Sequence, residues 1–422
     1  MHKPPPKIRG DFLKVGVRDG GHAVEIAEEL SRQFAATAAA RERQGGSPSA
    51  ERDLIRQSGL LLMRVPLLSG GIGASWSETL AAVRAIARAD SSLAHIFSWH
   101  HLEVVTPALI GTTAQRDRYY RGAVAEGWFW GSALNPLDSR VTASREGRTL
   151  HISGTKSFCT GARGSDMLLV GAVEPGTPGV LAIAIPTSRS GVTVQDDWDN
   201  MGQRQSDSGS VTLANVEVDE DEVLGRVRVA PTPRLALRAC LSQLMLANIF
   251  VGIAEGALAE AKQYTLTQTR PWPNTKVERA ADEPGILHVY GELWVHLRAA
   301  ALLANDAARR LEEAWAPLDT AIGEAAGADA TGDPSAEPQA DTVRALLVAV
   351  DAAKVMATQV GLDVTSRLFE VMGARATASS VNFDRHWRNM RTLTLHDPVE
   401  MRMRELGNWF LNNRLPVPDV TT

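Results

Sequence analysis

The chain has 422 residues, of which 44% are hydrophobic and 22% charged, as in an ordinary soluble globular protein. Its 44 basic and 49 acidic side chains give a formal net charge of −5 without a block of like charges, which argues against nucleic acid or an anionic membrane as the main partner. The only cysteines, Cys159 and Cys240, exclude a disulfide framework and a cysteine-rich metal site.

The N-terminal part is predicted to be helical. Residues 1–20 are rich in Pro, Lys and Gly and are expected to form a flexible arm; they lack the apolar segment of a secretion signal. Residues 21–128 are expected to form a helical domain. The glycine-rich loop Pro66–Ser75 lacks the strand and spacing of a dinucleotide fingerprint and is interpreted as structural. The predicted helices are Gly21–Arg43, Ser49–Gln57, Ser77–Ala89, Ser91–Ile110 and Thr113–Ala125.

The sequence pattern changes near Trp128. Short β-rich runs separated by Gly, Pro, Asn and Asp predict a small β-sandwich or barrel over residues 129–228. These runs are Leu150–Cys159, Met167–Val173, Val180–Ile185, Val192–Val194 and Ser210–Val218.

Helical patterns return over residues 229–422, interrupted by a segment, Pro317–Asp341, that is predicted to be a mobile connection. The fold class is therefore α+β, with an antiparallel β module between two helical domains. The junction of the three is where a flat cofactor is expected. The predicted C-terminal helices are Leu235–Gln268, Ile286–Trp315, Thr342–Glu370, Phe383–Arg391 and Val399–Asn412.

The segment Arg388–Pro398 places His396 beside Asp397, immediately before a proline. A residue that precedes proline rarely adopts helical dihedral angles. The pair is therefore expected at the end of one helix, facing a pocket. The alternative is an ordinary turn between two helices in which Asp397 caps the second.

The order of elements and several local strings resemble the acyl-CoA dehydrogenase superfamily over about residues 20–415, and more narrowly its monooxygenase branch, with the bacterial dibenzothiophene monooxygenases as the best match. The strings that carry the resemblance are Ala89–His95, Gly154–Asp166, Ile185–Val192, Asp196–Ser210, Gln268–Trp272, Gly373–Arg375, Phe383–Asn389 and Leu395–Val399.

The segment Leu395–Pro398 distinguishes the two branches. In acyl-CoA dehydrogenases this region carries a glutamate that, in many members, removes the α-proton of a thioester; here His396 and Asp397 stand instead. The resemblance thus implies the oxygenase branch, in which reduced flavin and dioxygen give a C4a-hydroperoxide. A thioether sulfur takes oxygen from that species without a base acting on the substrate.

The resemblance also implies candidate site residues. His396, with Asp397 beside it, is expected over the flavin ring, where an imidazole donates a hydrogen bond or relays a proton. His95 matches a second active-site histidine, with a hydrogen-bonded core residue as the alternative. Arg270 resembles an arginine that reaches a flavin phosphate from a neighbouring subunit; a solvated helix-end arginine is the alternative. The other residues expected at the cofactor are Phe158, Thr160, Trp198, Ser206, Ser208, Arg375 and Ser132.

Four positions depart from the dibenzothiophene enzymes. Trp99, one helical turn after His95, replaces a tyrosine, and Thr160 replaces a serine. Leu393 replaces a histidine, and Ser132 lies in a string that replaces one rich in Asn and Ser. The reaction type is expected to survive these changes; the substrate is less constrained.

The sequence therefore predicts a cytoplasmic, two-component monooxygenase. It uses O2 and reduced FMN, which a separate NAD(P)H-dependent flavin reductase supplies, to oxygenate a small aromatic heterocycle. The preferred substrate is a thioether of the dibenzothiophene or benzothiophene type, oxygenated at sulfur to the sulfoxide and sulfone. No metal is expected, and the family implies a homotetramer. The rivals are the same chemistry on an indole carbon or amine nitrogen, an acyl-CoA dehydrogenase, and a non-catalytic flavin-binding scaffold.

Overall fold

A computed structural model describes residues 16–147, 149–229, 232–324 and 337–416. Within these ranges the helices are α1 Gly20–Gln44, α2 Ser49–Gln57, α3 Trp76–Ala89, α4 Ser91–Ile110, α5 Thr113–Glu126, α6 Pro233–Thr267, α7 Pro284–Glu324, α8 Ala340–Met372, α9 Arg385–Thr394 and α10 Val399–Asn412. The strands are β1 Trp130–Ala133, β2 Thr142–Glu146, β3 Thr149–Lys156, β4 Met167–Ala172, β5 Val180–Pro186, β6 Val192–Val194, β7 Val211–Val218 and β8 Val223–Val227.

Side-chain caps fix where the N-terminal helices begin. Ser75 and Glu78 form a reciprocal capping box at the start of α3. The Asp90 side chain accepts hydrogen bonds from the backbone N–H groups of Ser92 and Leu93 at the start of α4. Asp90 is the single residue between α3 and α4. Its cap therefore fixes where α4 begins and which way each side chain of α4 points.

Helices α4 and α6 form the centre of the molecule. Every residue of α4 from Ser91 to Leu109 is buried, as expected for a helix that is covered on all sides. A β-carbon on Gly256 of α6 would lie 2.0 Å from the backbone oxygen of Arg88, so only glycine permits this approach of α3 to α6. Glu103 on α4 and Arg238 on α6 form a buried ion pair at 2.9 Å.

The middle of the chain folds into two four-stranded sheets. Their strand orders are β1-β4-β5-β8 and β2-β3-β7-β6, and every pair is antiparallel except β1 with β4. Apolar side chains from both sheets, such as Ile152, Val170, Ile183 and Val216, share one core. The predicted β-sandwich between helical regions is confirmed.

The helix prediction was wrong after Trp315. Helix α7 continues through Pro317 to Glu324, although proline lacks an N–H and crowds the preceding turn. Trp315 packs edge-on against Trp76 with ring centroids 4.8 Å apart, and Leu318 is buried. This packing outweighs the local preference of proline. The rest of the predicted mobile connection lies largely outside the described residues, as does most of the predicted N-terminal arm.

Three strands, β1, β2 and β8, were not predicted. β1 has the sequence Trp-Gly-Ser-Ala and β2 is polar and mostly exposed, so neither shows β-branched alternation. By length and composition alone, helices α6 and α8 are long and apolar enough to cross a membrane. Their most apolar 18-residue stretches are 100% and 56% buried within the protein, as is typical of core helices.

Candidate active site

Helix α4 holds His95 and Trp99 side by side at the edge of the buried core. The two rings meet edge-on, with centroids 4.5 Å apart, as their spacing of four residues predicts. Neither ring nitrogen of His95 has a hydrogen-bond partner among the described residues. Burial, and to a smaller extent the charge of His396, lowers the pKa of His95 to about 3. His95 is therefore a neutral imidazole at neutral pH, with one donor and one acceptor available.

The turn between α9 and α10 brings His396 to the same place. The backbone N–H of His396 donates to the backbone oxygen of Leu393, and the centres of the His396 and Trp99 rings lie 5.9 Å apart. The side chain of His396 is 40% exposed. Helix α10 has Pro398 as its N-cap residue and no side-chain cap. Asp397 is thus not a helix cap, and that alternative is wrong.

Asp397 is instead the centre of a buried charge network. Its Oδ1 accepts a hydrogen bond from Lys354 Nζ at 2.9 Å, and its Oδ2 lies 3.7 Å from Arg402 Nε. Burial alone raises the pKa of Asp397, but contact with His396 and the charge and hydrogen bond of Lys354 outweigh it and hold this pKa well below its usual range. Asp397 is ionised and already paired, so it is poorly suited to remove a proton from a substrate.

Lys354 and Arg402 were not predicted as site residues. A signal existed, because Lys354 follows Leu347 and Val350 at core spacing on α8, where a charged residue is rare. A buried lysine at such a position is a reason to look for a carboxylate partner.

The β-sandwich contributes a chain of hydroxyl groups. The hydroxyls of Ser206 and Ser208 lie 2.7 Å apart, and that of Ser208 donates to Thr160 Oγ1 at 3.2 Å. The N–H of Ser132 on β1 donates to the backbone oxygen of Thr160. All four predicted residues are buried and lie together, and the hydroxyls of Thr160, Ser206 and Ser208 bond to one another. A β-carbon on the next residue, Gly161, would lie 3.4 Å from Ile96 of α4, which places this loop against the His95 helix.

Phe158 and Trp198 form an aromatic wall beside these hydroxyls. Their rings meet edge-on at 5.9 Å, and Phe158 is 66% exposed in a left-handed backbone conformation with φ of 58°. A bulky residue in that conformation is strained, and strained residues of this kind are concentrated at active sites and ligand-binding sites.

The loop after Trp198 is anchored to both helical regions. Trp198 Nε1 donates to the backbone oxygen of Gln203. The N–H of Gln203 donates to Asn389 of α9, and its side chain donates to Ser91 of α4. The three parts of the chain that carry His95, Trp198 and His396 are therefore held in one arrangement.

Arg270 and Arg375 lie elsewhere. Arg375 donates to the backbone oxygen of Gln268, just beyond the end of α6, whereas Arg270 is exposed and has no hydrogen bond to any residue in the described ranges. Lys354, which contacts Asp397, bonds to Gln243 near the other end of α6. At 1.5 Å per residue, the helix from Gln243 to Thr267 spans about 36 Å. The two arginines therefore do not meet His396 within one chain.

Family models match nearly the whole chain. The N-terminal, middle and C-terminal domains of acyl-CoA dehydrogenase match residues 23–127, 123–216 and 244–400, respectively. The predicted α+β fold of that superfamily is confirmed.

Two curated relatives are named as oxygenases. The probable FMNH2-dependent monooxygenase SfnC of Pseudomonas putida is 47% identical over 94% of this chain and 96% of its own length. The dibenzothiophene monooxygenase of Mycolicibacterium goodii is 40% identical over 95% of this chain and 96% of its own length.

Two solved structures are also similar to this chain over nearly its whole length. The methanesulfinate monooxygenase MsuC of Pseudomonas fluorescens superimposes with a TM-score of 0.88 at 44% identity, covering 94% of this chain and 99% of its own. TdsC of Paenibacillus sp. A11-2, in complex with FMN and indole, has a TM-score of 0.85 at 39% identity, covering 95% and 100%. The chain therefore belongs to the acyl-CoA dehydrogenase superfamily and, within it, to the flavin-dependent monooxygenase branch.

Proposed function

We propose that the protein is a two-component FMNH2-dependent monooxygenase that oxygenates the sulfur atom of an organic compound, with aromatic thioethers as the first candidates. The observation that carries this proposal is the state of Asp397. A dehydrogenase needs a free carboxylate at the substrate α-carbon, whereas Asp397 is paired with Lys354 and leaves a histidine facing His95 and Trp99.

The residues around His95 and His396 fit a flat heteroaromatic cofactor such as FMN. The exposed ring of Phe158, held by a strained backbone, and the ring of Trp198 offer an apolar wall, and the two unpartnered nitrogens of His95 offer a donor and an acceptor. Thr160 contributes a hydroxyl from the β side, backed by Ser206 and Ser208. When bound in its reduced form, FMN would supply the two electrons that activate dioxygen.

Each side chain then has a distinct task. His396 Nδ1 lies 3.7 Å from Asp397 Oδ1, which leaves Nε2, on the side of the ring away from Asp397, to donate a hydrogen bond or a proton. His95 stays neutral at neutral pH and serves as a hydrogen-bonding group. Trp99, Phe158 and Trp198 keep water from the reacting atoms.

The reaction balances with a reductase as partner. One oxygen atom of O2 is transferred to sulfur, the other leaves as water, and reduced FMN gives up two electrons and two protons. A thioether becomes a sulfoxide, and a second turnover gives the sulfone. We infer that an NAD(P)H-dependent flavin reductase in the same cytoplasm supplies the reduced FMN.

Small alkanesulfinates are the second candidate substrates. The observation that favours them is Trp99, whose indole fills space where the dibenzothiophene enzymes carry a tyrosine, together with the likeness to MsuC. Oxygen transfer to a sulfinate gives a sulfonate.

A product screen decides between the candidates. Purified protein, FMN, NADH and a generic flavin reductase are incubated in air with dibenzothiophene, benzothiophene, methanesulfinate, indole and an amine. Sulfoxide or sulfone supports the first candidate and methanesulfonate the second. If no sulfur product forms, then indigo from indole or an N-oxygenated amine contradicts the sulfur assignment. Replacing Trp99 by tyrosine should raise the turnover of dibenzothiophene relative to that of methanesulfinate.

A homotetramer of three-domain subunits is part of the proposal. If Arg270 holds a flavin phosphate, the flavin belongs to a neighbouring subunit, because about 36 Å of α6 separates this arginine from the His396 end of the helix. Exposed apolar side chains on α7, among them Leu287, Trp294 and Leu302, offer a surface for such contacts. The ranges of the family models support domains at 21–128, 129–228 and 229–422. Light scattering of the purified protein tests the tetramer.

A further inference from the structure

The least expected group behind the candidate site is the ammonium of Lys354. Its side chain is 1% exposed, on a face of α8 that also buries Asp351 and apolar core residues such as Val350 and Ala357. Nζ donates to Asp397 Oδ1 at 2.9 Å and to Gln243 Oε1 of α6 at 2.7 Å. Its charge lies 5.3 Å from the ring centre of Phe250. A buried ion pair is often no more stabilising than apolar residues of the same volume, so stability is a poor reason for a lysine here.

Lys354 is linked to His396 through the carboxylate of Asp397. Asp397 lies between Lys354 on α8 and Arg402 on α10, and these two cations fix the orientation of its carboxylate. Arg402 also contacts Asp351 and Glu405, so its position is set independently of Asp397. His396 is the residue before Asp397 and is partly exposed, with its Nδ1 3.7 Å from the carboxylate. The Asp397 carboxylate is therefore placed to influence the orientation of the imidazole.

We propose that Lys354 is a positioning residue for the oxygenation, acting on His396 through Asp397. This inference rests on the proposed function. Lys354 compensates the Asp397 charge from the protein side, so the carboxylate stays in place and the His396 ring keeps its position beside Trp99. Without Lys354, the buried carboxylate would be drawn to Arg402 or to a protonated His396, and the imidazole would lose its orientation. The rival explanation is that Lys354 only joins α8 to α6.

A double-mutant cycle separates the two explanations. The variants are Lys354→Met, Asp397→Asn and the double variant, assayed with reduced FMN and the sulfur substrate found for the wild type. We expect Lys354→Met to lower kcat by roughly 10- to 100-fold, the usual effect of losing support behind a reacting group, with KM little changed. A larger share of the reduced FMN should be lost as hydrogen peroxide. The double variant should be no slower than Asp397→Asn. Losses that multiply in the double variant would overturn the proposal.

A second readout needs no cofactor. Diethyl pyrocarbonate acylates neutral imidazole, and peptide mass spectrometry gives its rate at His396 relative to partly exposed His22 of α1 in flavin-free protein. We expect this relative rate to change several-fold in Lys354→Met and by a similar factor in Asp397→Asn. Lys262→Met, which removes an exposed lysine of α6, should leave it unchanged.

The outcomes of the two readouts are distinct. An unchanged rate at His396 in folded Lys354→Met would overturn the positioning role. If Lys354→Arg, which keeps the charge, folds, it should restore part of the wild-type rate and labelling. Should the wild type oxygenate no sulfur compound, the proposed function fails, while the labelling still decides whether Lys354 positions His396.

Discussion

Replacing His396 by phenylalanine is the sharpest perturbation of the candidate site, because it keeps a planar ring and removes both nitrogens. A hydrogen bond that involves a charged group contributes about 1.5–3 kcal/mol. Since about 1.4 kcal/mol corresponds to a factor of ten in rate, the expected loss of turnover is about 10- to 150-fold.

The same substitution should hardly affect the fold. His396 is 40% exposed and its contact with Asp397 is 3.7 Å long. A partly exposed pair of this kind contributes less than about 1 kcal/mol, so the free energy of unfolding should fall by no more than that. Loss of activity with retained stability is the signature of a residue that acts on the reaction.

The assay measures oxygenated sulfur product per reduced FMN consumed, together with urea unfolding of the same preparations. His386→Phe is the matched control, since His386 is a buried histidine of α9 that bonds to Glu260 at 2.9 Å. It should lower the free energy of unfolding by about 1–3 kcal/mol and leave turnover per folded protein near that of the wild type. If His396→Phe oxygenates as fast as wild type, the role assigned to this histidine is refuted.

Three further predictions concern the fold that holds the site. Glu103→Gln leaves Arg238 buried without its anion and should lower the free energy of unfolding by about 3–5 kcal/mol in urea titrations; an unchanged midpoint would contradict the buried pair. Burial alone raises the pKa of Glu260, but hydrogen bonds and charges from His386 and Arg385 hold it at about 2, below its ordinary value of 4.5. The stability from this group is therefore present above pH 4.5 and lost as the pH falls toward 2, and Glu260→Gln should remove that part of the acid sensitivity of the melting temperature. Gly256→Ala places a methyl group against the Arg88 carbonyl and should lower the free energy of unfolding by about 1–3 kcal/mol in the same titrations, whereas a neutral effect would mean that α3 and α6 separate easily.

Much of the fold was predictable because its signals are local. Asp90 as a cap and the helical spacing after it place His95 and Trp99 on one face of α4, and the structure confirms this contact. Local signals fail where tertiary contacts decide. Helix α7 passes through Pro317 because Trp315 packs on Trp76, whose position 239 residues earlier no local pattern reveals. Strand β1 exists because β4 pairs with it.

The candidate site was predictable in part. The sequence places His396 and Asp397 together because they are adjacent in the chain. The partner of Asp397 is 43 residues away on another helix, so the sequence alone left a helix cap as an alternative. The flavin-binding roles of Phe158, Thr160, Trp198, Ser132, Ser206, Ser208, Arg270 and Arg375 stay predictions that a structure with FMN would test.

The most direct test of the central claim follows the oxygen atom. Purified protein receives FMN, a flavin reductase and NADH under 18O2, with dibenzothiophene, benzothiophene and methanesulfinate in parallel. We expect one 18O atom for each oxygen added to sulfur, and no product when reduced FMN is withheld. Absence of labelled sulfur product from all three compounds, together with anaerobic bleaching of the bound flavin by an acyl-CoA, would contradict that claim and return the protein to dehydrogenase chemistry.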